Sequence, residues 1–354
     1  MKVLFAFFIV GLSTLSAQPP KPVPSIKGII DLRPYDFSNH EAVQLGGAWE
    51  FYWNKLLIPG SFDPVAPAWI EMRDGWTQSK EYEGLGYGTY RVRILLEKDQ
   101  KGLALFFPAI NCAGRIWVNG DLAGESGTVS ANPETYVAKL TSTLVPLPEK
   151  QDTLEVVIQV ANFTQGNGGI WNYPRIGRAA SLVESINRSN GIENFFAGSL
   201  IAMCFYQLIL YFLYRRGKPF LWLSLICLGV AIRALVIHGG SFLLPNLFPG
   251  ISWAVWKKFE YGSAYAIVAF FPLYVRDLFK EYAPLRPLQI FVVTGSLLFA
   301  LVLFTSQTIF RQALEVVHLA YLLGFAYAIY TIVRAWRGGN KDAKIILLDR
   351  KSVV

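Results

Sequence analysis

Two hydrophobic patterns share this chain, and one gives way to the other near Asn194. Before that point apolar and polar residues alternate with the period of two expected of strands. In residues 89–95, Tyr90, Val92 and Ile94 fall on one face and Thr89, Arg91 and Arg93 on the other. That is the pattern of a half-buried antiparallel strand. Leu154, Val156, Ile158 and Val160 repeat it, and residues 103–107 and 115–118 predict two more strands. Asn119-Gly120 between alternating runs predicts a two-residue hairpin turn. Many short strands with Gly and Pro turns predict an all-β jelly-roll sandwich over 26–186. After Asn194 the alternation stops. Five apolar segments follow, at 195–214, 220–237, 259–279, 288–306 and 313–333. Each is close to the ~20 residues that an α-helix needs to cross a bilayer. The fold class is therefore two-part: an all-β sandwich followed by an all-α polytopic transmembrane bundle, with 187–194 as the linker.

The start of the chain adds an export signal. Lys2 is a short basic region, residues 3–12 are apolar, and residues 13–17 are small and polar apart from Leu15. This stretch is short for a spanning helix and reads as a signal peptide, 1–17, cut after Ala17. Residues 18–25 are a Pro-rich spacer. An exported sandwich sends the first span from outside to inside. The inner loops then hold Arg215, Arg216 and Lys218, the mixed basic segment 276–287, and Arg334 and Arg337 in a basic tail, 334–354. This agrees with the positive-inside bias and predicts a multi-pass membrane protein with an exported β domain and a cytoplasmic C-terminus. Lys257-Lys258 on the outer side is the exception.

Composition fits this reading. Of 354 residues, 53% are hydrophobic and 16% charged, with a mean hydropathy of +0.35. The net charge of +8 does not indicate nucleic acid, because the cations cluster beside the apolar segments. Cys112 is alone in the exported part, with Cys204 and Cys227 inside spans, so that domain has no internal disulfide. His40, His238 and His318 are far apart and no CxxC or HExxH occurs. No metal and no cofactor are expected.

The candidate ligand residues are Trp117, Asn119, Asn162, Trp171, Asn172 and Tyr173. Aromatic rings stack on sugar faces and amides bond hydroxyls, although Trp49, Trp117 and Trp171 also suit strand packing. Residues 166–169, with Trp171 and Tyr173 after them, read as a flexible, exposed Gly-rich loop. Glu81, Glu83, Glu125 and Glu134 are scattered surface acids. Nothing marks the carboxylate pair that a glycosidase requires, so the chain is not read as an enzyme. Within the spans, Arg233, His238, Glu260, Glu315 and His318 all fall toward the outer end and predict an intramembrane polar cluster. Arg233 is expected to pair with Glu260 or Glu315.

Two resemblances sharpen the picture. The run Gly46-Gly47-Ala48-Trp49-Glu50-Phe51-Tyr52-Trp53 is followed by Gly86-Tyr87-Gly88-Thr89-Tyr90-Arg91 and by Arg115-Ile116-Trp117-Val118-Asn119-Gly120. Their order resembles the galactose-binding-like jelly roll, as in the sugar-binding domain of glycoside hydrolase family 2. The apolar half, 192–348, resembles the bacterial seven-transmembrane receptors with diverse intracellular signalling modules. The matching features are the domain order, the Arg-Arg-Gly-Lys loop at 215–218 and the span around 222–233. That resemblance implies a receptor whose outer domain senses a carbohydrate-like envelope ligand. Its helices pass the signal to a cytoplasmic partner or output module, such as a kinase or cyclase. Five spans and an apolar start at 343–348, breaking into charge, suggest a product shortened relative to seven. Two other readings stand beside the receptor: an anchored carbohydrate- or partner-binding protein without its own output, and a transporter subunit.

Overall fold

The computed structural model describes residues 22–348, apart from 39–41, 63–66, 74, 99, 111, 150, 215–216 and 238–241. The expected signal peptide lies outside the described residues, as do Arg215, Arg216 and the charged end after Leu348. Two compact units emerge, with the change between Ile192 and Glu193.

The first unit is a strand-rich, two-layered and nearly closed barrel. Its strands are β1 (Val23–Ser25), β2 (Ile29–Asp31), β3 (Val43–Trp53), β4 (Ala68–Glu71), β5 (Gly86–Leu95), β6 (Leu103–Phe107), β7 (Ala113–Val118), β8 (Asp121–Ser126), β9 (Thr143–Pro146), β10 (Thr153–Asn162) and β11 (Arg175–Arg178). The path runs β8-β7-β10-β5-β3-β11-β6-β9. Strand β3 serves both layers: Glu50–Trp53 pairs antiparallel with β5, while Val43 and Gln44 pair with β11. The two ends of the path approach each other where Gly124 of β8 meets the Thr143 side chain of β9. Such closure limits the unpaired edge that an open sheet presents.

The period of two sets the core. Tyr90, Val92 and Ile94 are buried on β5, and Leu154, Val156, Ile158 and Val160 on β10, together with Trp49, Phe51, Leu105 and Ile116. Full burial of such side chains contributes about 1.5–3 kcal/mol each. The turn at 119–120 has both residues at positive φ, 51° and 90°, as a type I′ hairpin requires.

The opposite face of β5 and β10 is covered in part as well. Thr89 and Gln159 are buried there beneath residues 55–62. The Leu57 N–H donates to Thr89 Oγ1 (2.9 Å), the Thr89 hydroxyl donates to the Lys55 carbonyl (2.7 Å), and Gln159 Nε2 donates to the Leu57 carbonyl (3.1 Å). Arg91 lies 4.1 Å from the centre of the Phe62 ring and joins Glu155 (2.8 Å) to Glu50 (3.3 Å). The polar face of β5 is covered at Thr89 and partly at Arg91, because this strap bonds or packs there, while Arg93 stays exposed.

The second unit is helical: α1 (Ala179–Leu213), α2 (Lys218–Ile237), α3 (Leu243–Leu247), α4 (Trp253–Leu278), α5 (Leu285–Phe304), α6 (Gln307–Gln312), α7 (Leu314–Arg337) and α8 (Lys341–Leu348). The first turns of α1 belong to the sheet unit, where Leu182 packs with Ala104 and Phe106. Residues 187–194, read as a linker, lie inside this 35-residue helix. No Pro interrupts it, and its i to i−4 bonds continue through the polar stretch.

Among the described residues four helices, rather than five, are long and apolar enough to cross a membrane: α1, α2, α5 and α7. The expected span at 259–279 falls in α4, which carries Lys257, Lys258 and Glu260 near one end and Arg276 and Asp277 near the other. Helix α4 packs against α2, α5 and α7, so protein covers much of the surface that lipid would otherwise meet. Its buried face includes Gly262, Ala264, Tyr265 and Ala269. Gly295 of α5 lies so close that a Cβ there would come 2.8 Å from the Ala269 nitrogen, the small-residue approach typical of membrane helices. Ile290, Val293 and Leu297 of α5 and Leu319, Leu322 and Ile329 of α7 are exposed. They form an apolar surface of a kind that water does not favour.

Burial pushes the Cys112 thiol from an ordinary value near 9 up to about 12. The folded thiol stays protonated while the unfolded one ionises, so its contribution is intact below about pH 9 and falls as pH rises toward 12. The loss is about 1.4 kcal/mol per pH unit in that window. Wild type is expected to lose stability faster than Cys112→Ala between these pH values, as read from urea midpoints of the two proteins.

Candidate ligand cleft and intramembrane polar cluster

The best-formed aromatic cleft in the sheet unit arises where two distant loops are pinned together. A single 3-10 turn, Trp76–Ser79, carries Trp76 inward. The Trp76 ring lies 5.9 Å from Phe51 and 5.3 Å from Trp53, and its Nε1–H donates to the Glu83 carbonyl at 2.8 Å. Residues 166–170 lie directly against it. The Trp76 N–H donates to the Gly168 carbonyl (3.0 Å) and the Gly75 N–H to the Ile170 carbonyl (3.2 Å). A Cβ at Gly168 would fall 2.2 Å from Trp76 Cζ2, and one at Gly84 would fall 1.9 Å from the Gly166 oxygen. The glycines here permit close backbone approach. The loop expected to be flexible and exposed is instead held down, with Gly168, Gly169 and Ile170 buried. Trp171 follows, half-buried, and with Thr77, Gln78 and Asn167 lines a shallow cleft of about 340 Å³. It combines one aromatic face with two amides and a hydroxyl. A larger depression of about 490 Å³, lined by Arg33, Leu95, Leu96, Glu97, Lys98, Asp152 and Thr153, has no aromatic face.

The other expected ligand residues lie elsewhere. Asn162 is fully buried and structural. Its Nδ2 donates to the Gly84 (2.7 Å) and Gln165 (2.8 Å) carbonyls, and its Oδ1 accepts from the Gln165 N–H (3.1 Å). It therefore shapes the start of the pinned loop. Asn119 sits in the hairpin turn, where its Oδ1 accepts from the Glu155 N–H (2.7 Å). Trp117 is buried on β7, with Arg115 5.9 Å from its ring centre. Asn172 is exposed, and Tyr173 packs at the core edge near Gly46. Of the six, Trp171 alone lines the cleft. Thr77 and Gln78 went unread in the sequence, because no local pattern brings residues so far from Trp171 to it, whereas Asn167 falls inside the Gly-rich loop that the sequence singled out. Of the acids, Glu125 pairs with Arg115 across β7 and β8, while Glu81, Glu83 and Glu134 are exposed.

In the helical unit Glu260 pairs with Lys257 (3.0 Å), one turn before it on α4, and both are buried. The expected partner, Arg233, is exposed on α2. An i,i+3 partner is supplied by the helix itself, which explains why the local pair forms. The Lys257 ammonium also lies 4.5 Å from the Trp253 ring centre. Glu315 and His318 are exposed on α7, and His238 lies outside the described residues. Nearby, the Tyr265 hydroxyl donates to the Phe310 carbonyl (2.7 Å). Toward the other end of α4, Asp277 accepts from Trp222 Nε1 (2.8 Å) and from Arg276.

A strand-rich N-terminal unit followed by apolar helices defines a multi-pass membrane protein with an appended β domain. Residues 189–348, the helical region, match the model of the 7TM diverse intracellular signalling family. Among solved structures, the chain is similar to a glycosyl hydrolase family 2 member from Bacteroides cellulosilyticus, at 17% identity and a TM-score of 0.30. The overlap covers 39% of this chain and 20% of that one. A Faecalibacterium prausnitzii β-glucuronidase gives 14% and 0.29, covering 39% and 31%. A β-glucuronidase from Ruminococcus gnavus gives 15% and 0.29, covering 39% and 29%. The chain thus spans less than a third of each of these enzymes. No curated protein matches it significantly.

Replacing Asn162 by Ala strands the Gly84 and Gln165 carbonyls and the Gln165 N–H in the interior. At ~1–3 kcal/mol for a buried group left unpaired, the expected cost is about 3 kcal/mol. A lower urea midpoint with an unchanged denaturant slope checks it.

Proposed function

We propose that this protein is a membrane receptor whose β domain binds a neutral carbohydrate-like envelope ligand. Helix α1 carries the resulting change into the membrane bundle, and a cytoplasmic partner or output module receives it. The observation that carries the reading is the cleft in which Trp171 faces Thr77, Gln78 and Asn167. An aromatic face beside amides and a hydroxyl suits a sugar ring, which has an apolar face and hydroxyl edges. The family matched by the helical region is described by intracellular signalling, which supports an output on the far side of the bilayer. The continuity of α1 supports transmission, because a helix with an unbroken hydrogen-bond ladder moves as a unit. The β domain is assigned to the periplasm and the C-terminus to the cytoplasm, on the distribution of loop cations. No catalytic step is assigned to this chain.

The binding arm is tested on the full chain in detergent with a panel of glucose, galactose, N-acetylglucosamine and cellobiose. At least one sugar is expected to change tryptophan fluorescence saturably. Trp171→Ala is expected to weaken that binding about tenfold, the equivalent of ~1.4 kcal/mol of stacking. A silent panel, or equal binding by the variant, overturns the ligand assignment.

The orientation is tested with reporter fusions after residues 216, 246, 284, 306 and 340. The expected order is inside, outside, inside, outside, inside. Fusions at 246 and 284 reporting the same side would show that α4 does not cross.

A further inference from the structure

The outer face of the sheet carries a second aromatic ring that the fold leaves bare. Strand β4 pairs antiparallel with β3 in a register that sets Trp69 opposite Glu50. Glu50 in turn stands opposite Arg91 on β5, and Arg93 stands between Ile29 on β2 and Glu155 on β10. Residues paired across strands share a face, so these side chains lie on the side away from Trp49, Val92 and Ile94 in the core. The turn between β1 and β2 draws them together. Gly28, at φ 70°, would place a Cβ 3.2 Å from Trp69 Cζ3 and 3.2 Å from Glu50 Oε1, and its carbonyl accepts the Arg93 N–H (2.8 Å). Arg93 Nη2 reaches the same Oε1, at 4.0 Å. The Trp69 ring and the Arg93 guanidinium thus converge on one carboxylate.

That carboxylate is fixed from behind. Glu50 Oε2 accepts from the Tyr52 hydroxyl (3.1 Å) and from Arg91 Nη1 (3.3 Å), and the side chain is 10% exposed. Its Oε1 accepts no hydrogen bond among the described residues. Arg93 is 48% exposed, Trp69 45% and Ile29 40%. A gap of 4.0 Å is too long for a hydrogen bond, and Arg93 has no other charged or hydrogen-bonding side-chain partner among the described residues. A hydroxyl placed between them donates to Oε1 and accepts from Arg93, satisfying both. Arg91 and Arg93 balance Glu50 and Glu155, so this face favours a neutral ligand over an ion. Two residues beyond Arg93 on the same face, Leu95 lines the depression of about 490 Å³, which leaves room for a ligand longer than one ring. We propose that this face is a second glycan site, for a neutral oligosaccharide of two or more rings. Trp69 stacks on one ring, Arg93 and Glu50 bracket its hydroxyls, and the next ring runs toward Leu95. The site shares its ligand class with the Trp171 cleft and uses none of that cleft's residues.

The full chain, in a detergent without a sugar headgroup, is titrated calorimetrically with cellotetraose and with maltotetraose. The starting protein carries Trp171→Ala, so that the cleft lacks its ring. One of the two tetrasaccharides is expected to bind it saturably. Adding Trp69→Ala is expected to weaken that binding about tenfold, and adding Arg93→Gln about fivefold. Both side chains are about half-exposed, so Tm is expected to hold in each variant, and it is measured alongside. Binding that survives Trp171→Ala and is weakened by Trp69→Ala establishes the site, whatever the fate of the cleft. Binding lost in Trp171→Ala and kept in Trp69→Ala alone puts the glycan in the cleft and overturns the proposal. No binding of either tetrasaccharide by the Trp171→Ala protein, or equal affinity once Trp69→Ala is added, overturns it too.

Discussion

Every backbone N–H and C=O that folding or lipid removes from water has to be paired, and the rest of the structure follows from how each part meets that demand. In the sheet unit the answer is near-closure. Strand β3 bends between the two layers, and the ends of the strand path meet at Gly124 and Thr143. In the apolar region the answer is the helix, which pairs its own backbone and needs nothing from lipid. Helix α1 starts among residues of the sheet unit and continues through Leu213 with one ladder.

The cleft is a by-product of the same demand. Two loops, 75–84 and 166–170, satisfy each other's backbone groups, and they approach so closely that only glycine fits at Gly84 and Gly168. Asn162 serves as an internal template by bonding both segments with one amide. The rigidity of that base positions Trp171. A ring fixed in advance loses little freedom when a ligand arrives, which is what makes a shallow cleft a credible binding surface.

Charges inside the bundle obey a parallel rule. Helix α4 tolerates Lys257, Glu260, Arg276 and Asp277 because each finds a partner on the helix or across it. Protein neighbours cover much of its surface, and its apolar content is correspondingly lower than that of the four lipid-type helices.

The sequence alone determined what depends on short-range periodicity. The two-part architecture, strands β5, β6, β7 and β10, the hairpin at 119–120 and the apolar helices were all legible, because a period of two or a long apolar run is a local property. Trp171 was named from the sequence and lines the cleft, whereas Glu260 was named with other partners than the Lys257 it meets. Tertiary structure decided the rest. It buried Asn162 and Trp117, which look the same in sequence whether they face a ligand or the core. It turned a Gly-rich loop from mobile to pinned, and it joined Thr77 and Gln78 to Trp171 across some ninety residues. It gave Glu260 to Lys257 rather than Arg233, and it made the expected linker part of a helix. Which side chains meet, and which face is already covered, depends on contacts between segments that no local pattern encodes.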